Sequence, residues 1–175
     1  MAEDPFETAV AAHHAEIHRY VVRMTRRAPM AEDLAQETFL RAYRAWRALP
    51  EGANVRAWLF AIATNVCRNH FRGEKRRSVA HATVRATGNE LDAAGPESET
   101  LFNETRALIE ASVERLPLKQ RTAFILRKIH EQEYEAIGQS LDCSAESARA
   151  HVFQALRKIR QCLNGHELPV METPR

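Results

Sequence analysis

The sequence predicts an all-α protein of two small helical domains joined by a flexible acidic linker. Apolar residues recur at helical spacing through most of the 175 residues, and alternating β-branched runs are few. Residues 86–104 hold five acidic residues and no basic residue, with glycine and proline among small side chains. That composition is typical of a linker, which we place at residues 78–98.

The overall composition fits a soluble globular protein, with 45% hydrophobic and 27% charged residues. A net charge of +2 points to no particular partner. The three cysteines form no CxxC pair, which argues against a disulfide framework or a zinc site and fits a reducing cytoplasm. No apolar run approaches the roughly 18 residues of a membrane helix, and the N-terminus lacks a signal-peptide pattern. We therefore expect a cytoplasmic protein without membrane insertion.

The first domain is predicted to span residues 1–77 and to contain three helices. The first helix covers residues 5–27, and its apolar side consists of Phe6, Val10, His13, Ile17, Tyr20 and Met24. Ala28 and Pro29 are expected to end this helix, because proline disfavours helix in the residue before it.

Two histidines on this helix, His14 and His18, stand one turn apart, a spacing that can chelate a metal. The metalloenzyme motif also needs a glutamate directly after the first histidine, and here Ala15 follows. A third ligand would be needed as well. We therefore expect both histidines at the margin of a helix interface rather than in a metal site.

The second helix, residues 30–49, has one exposed apolar side chain in its polar arc. Its apolar arc consists of Ala31, Leu34, Thr38, Phe39, Ala42, Ala45, Trp46 and Leu49. Its polar arc consists of Asp33, Gln36, Glu37, Arg41 and Arg44, and Leu40 projects from the middle of it. A single exposed leucine is normal. An apolar centre with a polar rim is nevertheless typical of a protein-docking patch.

The third helix, residues 55–77, is apolar on one side and basic on the other. The apolar side consists of Val55, Trp58, Leu59, Ile62, Ala63, Val66 and His70. The opposite side carries Ala61, Asn65, Arg68, Arg72 and Lys75 in one stripe. Five basic residues lie between Arg68 and Arg77 against the single acid Glu74, whereas a solvated face usually mixes its signs. This face is predicted to bind a polyanion.

The second domain, residues 99–165, is predicted to end in a helix-turn-helix, followed by a tail at residues 166–175. Its helices are expected at residues 99–116, 118–130, 134–141 and 145–163, with Ser144 as the N-cap of the last one. The inward stripe of the last helix is Ala148, Val152, Ala155, Ile159 and Leu163. Its outer face carries Glu146, Arg149, Phe153, Arg157 and Arg160. An ordinary helical hairpin could look the same, but the basic outer face favours DNA binding.

Three segments together resemble the extracytoplasmic-function group of bacterial RNA polymerase sigma factors. AEDLAQETFLRAYRAW, residues 31–46, is similar to the helix by which that family docks on core polymerase. RAWLFAIATNVCRNHFR, residues 56–72, is similar to its promoter-melting helix. Residues 116–160 are similar to its C-terminal DNA-reading module. The three segments occur in the family's order, separated by a linker.

The resemblance implies three partners: core RNA polymerase, promoter DNA and an anti-sigma factor. The residues implied to contact the clamp helices of the large polymerase subunit are Asp33, Gln36, Glu37, Leu40 and Arg41, with Arg44 on the same arc. Those implied to hold the melted non-template strand are Asn65, Arg68, Asn69 and Arg72, with Lys75 on the same stripe and Asn54 in the wall of a base pocket. Those expected on duplex DNA are Ser144, Glu146, Ser147, Arg149, His151, Phe153 and Arg157.

The sequence departs from the family pattern at two places. The loop before the third helix commonly carries aromatic residues, where this chain has Leu49 and Val55. The recognition helix commonly carries a Gly-Thr-Val-Arg-Ser-Arg run, where Glu146 to His151 stand here. The first departure is expected to weaken stacking on a flipped base and leaves the preferred base open. The second is expected either to reduce phosphate affinity or to change the DNA sequence that is read, and Glu146 can accept a hydrogen bond from cytosine.

Two other functions stay open on the residues alone. A free-standing helix-turn-helix regulator would explain the second domain but not Leu40 or the basic stripe. A helical metalloenzyme would use His14 and His18. No nucleophile triad, phosphate-binding glycine loop or pair of catalytic carboxylates is recognisable, so we expect no enzyme activity and no cofactor.

Overall fold

The computed structural model describes residues 4–80 and 100–165, and within these ranges the regular structure is entirely helical. The elements are α1 (Pro5–Thr25), α2 (Ala28–Ala45), a 3₁₀ turn (Trp46–Ala48), α3 (Val55–Ala80), α4 (Thr100–Glu114), α5 (Leu118–Lys128), α6 (Tyr134–Leu141) and α7 (Ala145–Asn164). The predicted all-α architecture of two helical domains is confirmed. The predicted linker from residue 81 onward and the tail at residues 166–175 lie outside the described residues.

The junction between α1 and α2 differs from the prediction. Helix α1 ends at Thr25, and Arg26 caps it in the left-handed conformation with φ 57°. Pro29 lies in the first turn of α2 instead of terminating α1. The first turn of a helix tolerates proline because the N–H groups there have no intrahelical partner.

The core of the first domain lies between α1, α2 and α3, and its largest buried side chains belong to α1 and α3. Ile17 and Tyr20 on α1 and Leu59 and Phe60 on α3 are fully buried, as the apolar periodicity predicted for three of them. Burial of an aromatic hydroxyl requires a partner, and the Tyr20 hydroxyl lies 2.8 Å from Thr64 Oγ1. Burial also raises the pKa of the Tyr20 hydroxyl well above its usual value.

The helix-turn-helix is built as the sequence predicted. Helix α6 covers Tyr134–Leu141, and the Ser144 hydroxyl accepts a hydrogen bond from the backbone N–H of Ser147 at 3.1 Å. Gly138 lets the chain turn closely, because a Cβ there would lie 2.6 Å from the backbone oxygen of Cys143. The predicted inward stripe of α7 is buried from Ala148 to Ile159.

The two domains pack directly against each other. Helix α3 contacts α6, and α1 contacts α5. Buried residues of the first domain, such as Phe60 and Cys67, form one continuous apolar cluster with Ala123, Ile125 and Ile137 of the second. Burial raises the pKa of the Cys67 thiol to about 12. The position of the second domain therefore decides which parts of α3 face solvent.

Candidate polymerase and nucleic-acid interfaces

The polar arc of α2 is exposed, as predicted, and Leu40 stands within it. Leu40 is 46% exposed, whereas Ala35 and Ala42 on the opposite side are buried. The other predicted docking residues are exposed, except that Glu37 is half-buried. Arg41 Nε lies 2.6 Å from Glu37 Oε1, one turn back along the helix. This ion pair links two polar residues of the rim around Leu40.

Sequence reasoning missed a second exposed apolar side chain beside Leu40. Tyr43 lies three residues further along α2, is largely exposed and contacts the edge of the Phe6 ring at a centroid distance of 5.3 Å. Residues three apart on a helix are surface neighbours. The spacing to Leu40 would have identified Tyr43, and the exposed apolar patch on α2 therefore consists of both residues.

The basic stripe of α3 is interrupted at Arg68, contrary to the prediction of one continuous face. Asn65, Asn69, Arg72 and Lys75 are exposed, but Arg68 is only 8% exposed. The physical reason is that α6 packs on this part of α3 and covers its guanidinium.

Three acceptors surround the covered guanidinium of Arg68. Its Nη1 donates to Asp142 Oδ2 at 2.9 Å, and lies 3.4 Å from both Asn65 Oδ1 and the backbone oxygen of Ser140. Asp142 and Ser140 belong to the second domain. Arg68 therefore forms an ion pair between the domains.

Asn54 is the N-terminal cap of α3. Its Oδ1 accepts a hydrogen bond from the backbone N–H of Ala57 at 3.0 Å. Such a bond satisfies a donor of the first helical turn that has no intrahelical partner. The loop before α3 is thus fixed at its end, with Leu49 and Val55 half-buried on either side.

The outer face of α7 is largely exposed. Glu146, Arg149, Phe153 and Arg157 all face solvent. His151, which the sequence placed with them, is half-buried, and its Nδ1 finds no hydrogen-bond partner among the described residues. Burial lowers the pKa of His151, and the nearby Lys119 lowers it further. The contact of His151 with duplex DNA therefore stays a prediction.

Arg149 has an aromatic support that the sequence did not reveal. Its guanidinium lies over the ring of Tyr134 at 5.0 Å, and Arg127 lies over the same ring at 4.7 Å. Arg127 Nη1 in turn donates to the backbone oxygen of Gln132 at 2.9 Å. No periodicity links these residues, because Tyr134 begins α6 while Arg149 lies on α7.

The two histidines of α1 lie at the margin of the α1–α2 interface, as predicted. The His14 ring stacks on Phe39 of α2 at a centroid distance of 5.3 Å. His18 Nε2 lies 3.3 Å from Glu32 Oε2. Within residues 4–80 and 100–165, no three acidic, histidine or cysteine side chains are arranged to hold a metal ion.

Comparison with known proteins accounts for both domains. The family model for Sigma-70 region 2 matches residues 9–77, and that for Sigma-70 region 4 matches residues 106–159. The RNA polymerase sigma factor CarQ of Myxococcus xanthus is 31% identical over 97% of this chain and 95% of its own length. The chain belongs to the extracytoplasmic-function group of RNA polymerase sigma factors. It is a transcription initiation factor and not an enzyme.

Further comparisons agree with this assignment. The extracytoplasmic-function sigma-E factor of Escherichia coli K12 is 27% identical to this sigma factor over 81% of this chain and 79% of its own length. The crystal structure of the sigma factor RpoE of Bartonella quintana, bound to the anti-sigma factor NepR, has the same fold. The TM-score is 0.75 at 21% identity, and the match covers 91% of this chain and 96% of that one.

The assignment decides between the alternatives left open by the residues. A free-standing regulator would leave the region 2 match over residues 9–77 unexplained. The sigma factor binds core RNA polymerase and directs promoter recognition and DNA melting. Among the helices in the described part of the chain, none is both long and apolar enough to cross a membrane.

Proposed function

We propose that this sigma factor docks on core polymerase through the exposed arc of α2, with Leu40 at its centre. The observation that carries this proposal is the exposure of Leu40 inside a ring of polar side chains. Protein interfaces have this composition, an apolar centre excluded from water by a polar rim. The ring consists of Asp33, Gln36, Glu37, Arg41 and Arg44, and the clamp helices of the large subunit are the proposed partner surface.

The melted non-template strand is proposed to lie along α3. Arg72 and Lys75 are exposed and can neutralise phosphates, while the exposed amides of Asn65 and Asn69 can hydrogen-bond the edges of unstacked bases. Asn54 supplies the fixed end of the loop that would form the wall of a base pocket. Arg68 can join this set only after α6 has moved away from it.

Duplex promoter DNA is proposed to contact the outer face of α7. Arg149 and Arg157 are exposed there and can bind phosphate or guanine, and Phe153 and Glu146 lie on the same face. Ser147 lies at the N-terminal end of the same helix, where its backbone N–H is already bound by Ser144. The proposed reading set is Ser144, Glu146, Ser147, Arg149, His151, Phe153 and Arg157, of which His151 is half-buried.

Regulation by an anti-sigma factor in the cytoplasm completes the proposal. The protein is proposed to act in the cytoplasm because core polymerase and the chromosome, its partners, are found there. Support for an anti-sigma partner comes from RpoE of Bartonella quintana, a structure of the same fold solved with the anti-sigma factor NepR.

The docking proposal predicts that Leu40→Arg releases the sigma factor from core polymerase. The exposed position should tolerate arginine, so the fold should persist. An unpaired charge buried in an interface costs about 2–5 kcal/mol, so we expect at least about thirtyfold weaker binding. Binding to purified core polymerase, followed by run-off transcription from a promoter fragment, measures the loss.

Ile129→Arg is the matched control, because Ile129 is a similarly exposed aliphatic residue, at 39%, and lies outside the α2 arc. It should bind core polymerase like the unchanged chain. Native circular dichroism together with undiminished core binding by Leu40→Arg would remove α2 from the interface.

A further inference from the structure

A cavity of about 500 Å³ lies between α1 of the first domain and α4 and α5 of the second. It shares no residue with the exposed arc of α2, the basic stripe of α3 or the outer face of α7. The surfaces of the proposed function therefore do not account for it. Its volume lies within the range of roughly 300–1,000 Å³ that small-molecule sites occupy, and such sites are common between domains.

The lining of this cavity combines apolar side chains with a surplus of positive charge. The apolar residues are Ile109, Val113, Phe124, Ile125 and Ile129. The charged residues are the basic Arg23, Arg26, Arg106, Arg121 and Lys128 and the acidic Glu110 and Glu114. This composition fits a ligand that has an apolar body and a negative charge.

Both acidic residues of the lining are already paired. Arg26 bridges them, since its Nη1 lies 3.2 Å from Glu110 Oε2 and its Nε lies 2.8 Å from Glu114 Oε1. Arg106 Nε adds a contact of 3.1 Å with Glu110 Oε1. These two carboxylates are therefore neutralised within the lining and leave its remaining positive charge uncompensated.

Three basic residues of the lining, Arg23, Arg121 and Lys128, form no ion pair with a carboxylate in residues 4–80 and 100–165. Arg121 Nε is buried and has no hydrogen-bond partner in that part of the chain. Its Nη1 donates only a long bond of 3.5 Å, to the backbone oxygen of Glu114. Burial lowers the pKa of the Arg121 guanidinium, because a charge is less stable away from water. A carboxylate can accept two parallel hydrogen bonds from one guanidinium and offset that loss.

The dimensions of the cavity favour a small molecule over a protein segment. An α-helix with its side chains is about 10–12 Å across, so a space of about 500 Å³ holds about one helical turn. The α4 part of the lining runs from Thr105 to Glu114, about 13 Å along the helix axis, which matches an extended chain of about ten carbons.

We propose that this cavity binds a small amphipathic carboxylate. Its apolar chain of about ten carbons packs between α4 and α5, and its carboxylate binds Arg121. Arg23 and Lys128 add positive charge around the bound carboxylate. The inference does not depend on the proposed contacts with polymerase and DNA.

Decanoate, titrated into the full chain below the concentration at which it forms micelles, tests the inference. Isothermal titration calorimetry should show saturable binding of one decanoate per chain. The midpoint of thermal unfolding should rise with decanoate concentration, because a ligand that binds only the folded chain stabilises it. Decan-1-ol has the same chain without the charge and should bind at least about tenfold more weakly.

Two variants change the cavity in independent ways, and circular dichroism checks the fold of each. Arg121→Met removes the charge but keeps a long apolar side chain, so decanoate should bind about ten- to a hundredfold more weakly. Ile109→Trp keeps every charge and fills the apolar part of the cavity, so both decanoate and decan-1-ol should bind more weakly. Lys119→Met is the matched control, because Lys119 is exposed on the same helix as Arg121 but outside the lining, and it should bind decanoate like the unchanged chain.

The inference is overturned if the unchanged chain shows no saturable binding of decanoate, or if decan-1-ol binds equally well. It is also overturned if either cavity variant keeps its fold and still binds decanoate normally, since the ligand would then lie elsewhere. An equal loss in Lys119→Met and Arg121→Met would mean a general charge effect. Dimerisation of the chain that Ile109→Trp abolishes, without decanoate binding, would assign the cavity to a second copy instead.

Discussion

Tyr134 is expected to hold Arg149 in the orientation that α7 presents to DNA. The Arg149 guanidinium lies 5.0 Å from the centre of the Tyr134 ring, and Arg127 packs over the ring at 4.7 Å. Arg127 is itself fixed by the backbone oxygen of Gln132. Tyr134→Leu removes the ring and frees the Arg149 side chain. A cation–π contact at an exposed site contributes about 0.5–1 kcal/mol, so affinity for duplex promoter DNA should fall by about two- to fivefold.

A double-mutant cycle isolates this effect from any general change in the domain. The affinity of a duplex promoter fragment is measured for the unchanged chain, Tyr134→Leu, Arg149→Ala and the double variant. If Tyr134 acts through Arg149, Tyr134→Leu should cost nothing once Arg149 is absent. Tyr134→Phe keeps the ring and should bind like the unchanged chain. The reasoning fails if Tyr134→Leu weakens binding equally in both backgrounds, or if Tyr134→Phe weakens it as much as leucine does.

Two further predictions concern buried polar groups. Tyr20→Phe removes the hydrogen-bond partner of the buried Thr64 hydroxyl and should lower the free energy of unfolding, measured by urea denaturation, by about 1–3 kcal/mol. Adding Thr64→Val should recover part of this loss. Strictly additive losses in the double variant would contradict the prediction. Burial lowers the pKa of His130 below its usual 6.5; Glu16 raises this pKa and Arg23 and Arg56 lower it further, with a net lowering. As pH falls, the unfolded chain therefore binds the proton at a higher pH than the folded chain. The free energy of unfolding should therefore fall as pH drops through 6.5, by at most about 1.4 kcal/mol per pH unit, and should level off below the pKa of His130 in the folded chain. His130→Gln should flatten this pH dependence. An unchanged slope in that variant would exclude His130 as its source.

Local sequence patterns predicted the features that depend on near neighbours along the chain. The spacing of Ala148, Val152 and Ala155 identified the buried side of α7, and Ser144 identified its first residue. The same periodicity placed Leu40 on the exposed arc of α2. The prediction failed at Pro29, because a proline can either follow a helix or occupy its first turn, and the sequence does not distinguish the two.

The features that escaped prediction depend on residues far apart in sequence. Arg68 and Asp142 are separated by 74 positions. Helical periodicity shows which side of α3 is apolar, but it does not show which polar residues a second domain will cover. The aromatic support of Arg149 by Tyr134 has the same origin, since it depends on how α6 and α7 cross. Contacts of this kind follow from tertiary packing alone.

Apolar contacts stabilise the packing of the two domains more than the ion pair at Arg68 does. The ion pair between Arg68 and Asp142 is weak in isolation, because the carboxylate is largely exposed and water screens it. The shared apolar cluster, which joins Phe60 to Ile125 and Ile137, excludes water and stabilises the packing. Removing the charge of Asp142 should therefore leave the domains packed, with Arg68 still covered by α6. Separating the two domains would also expose this cluster to water, which is the larger cost.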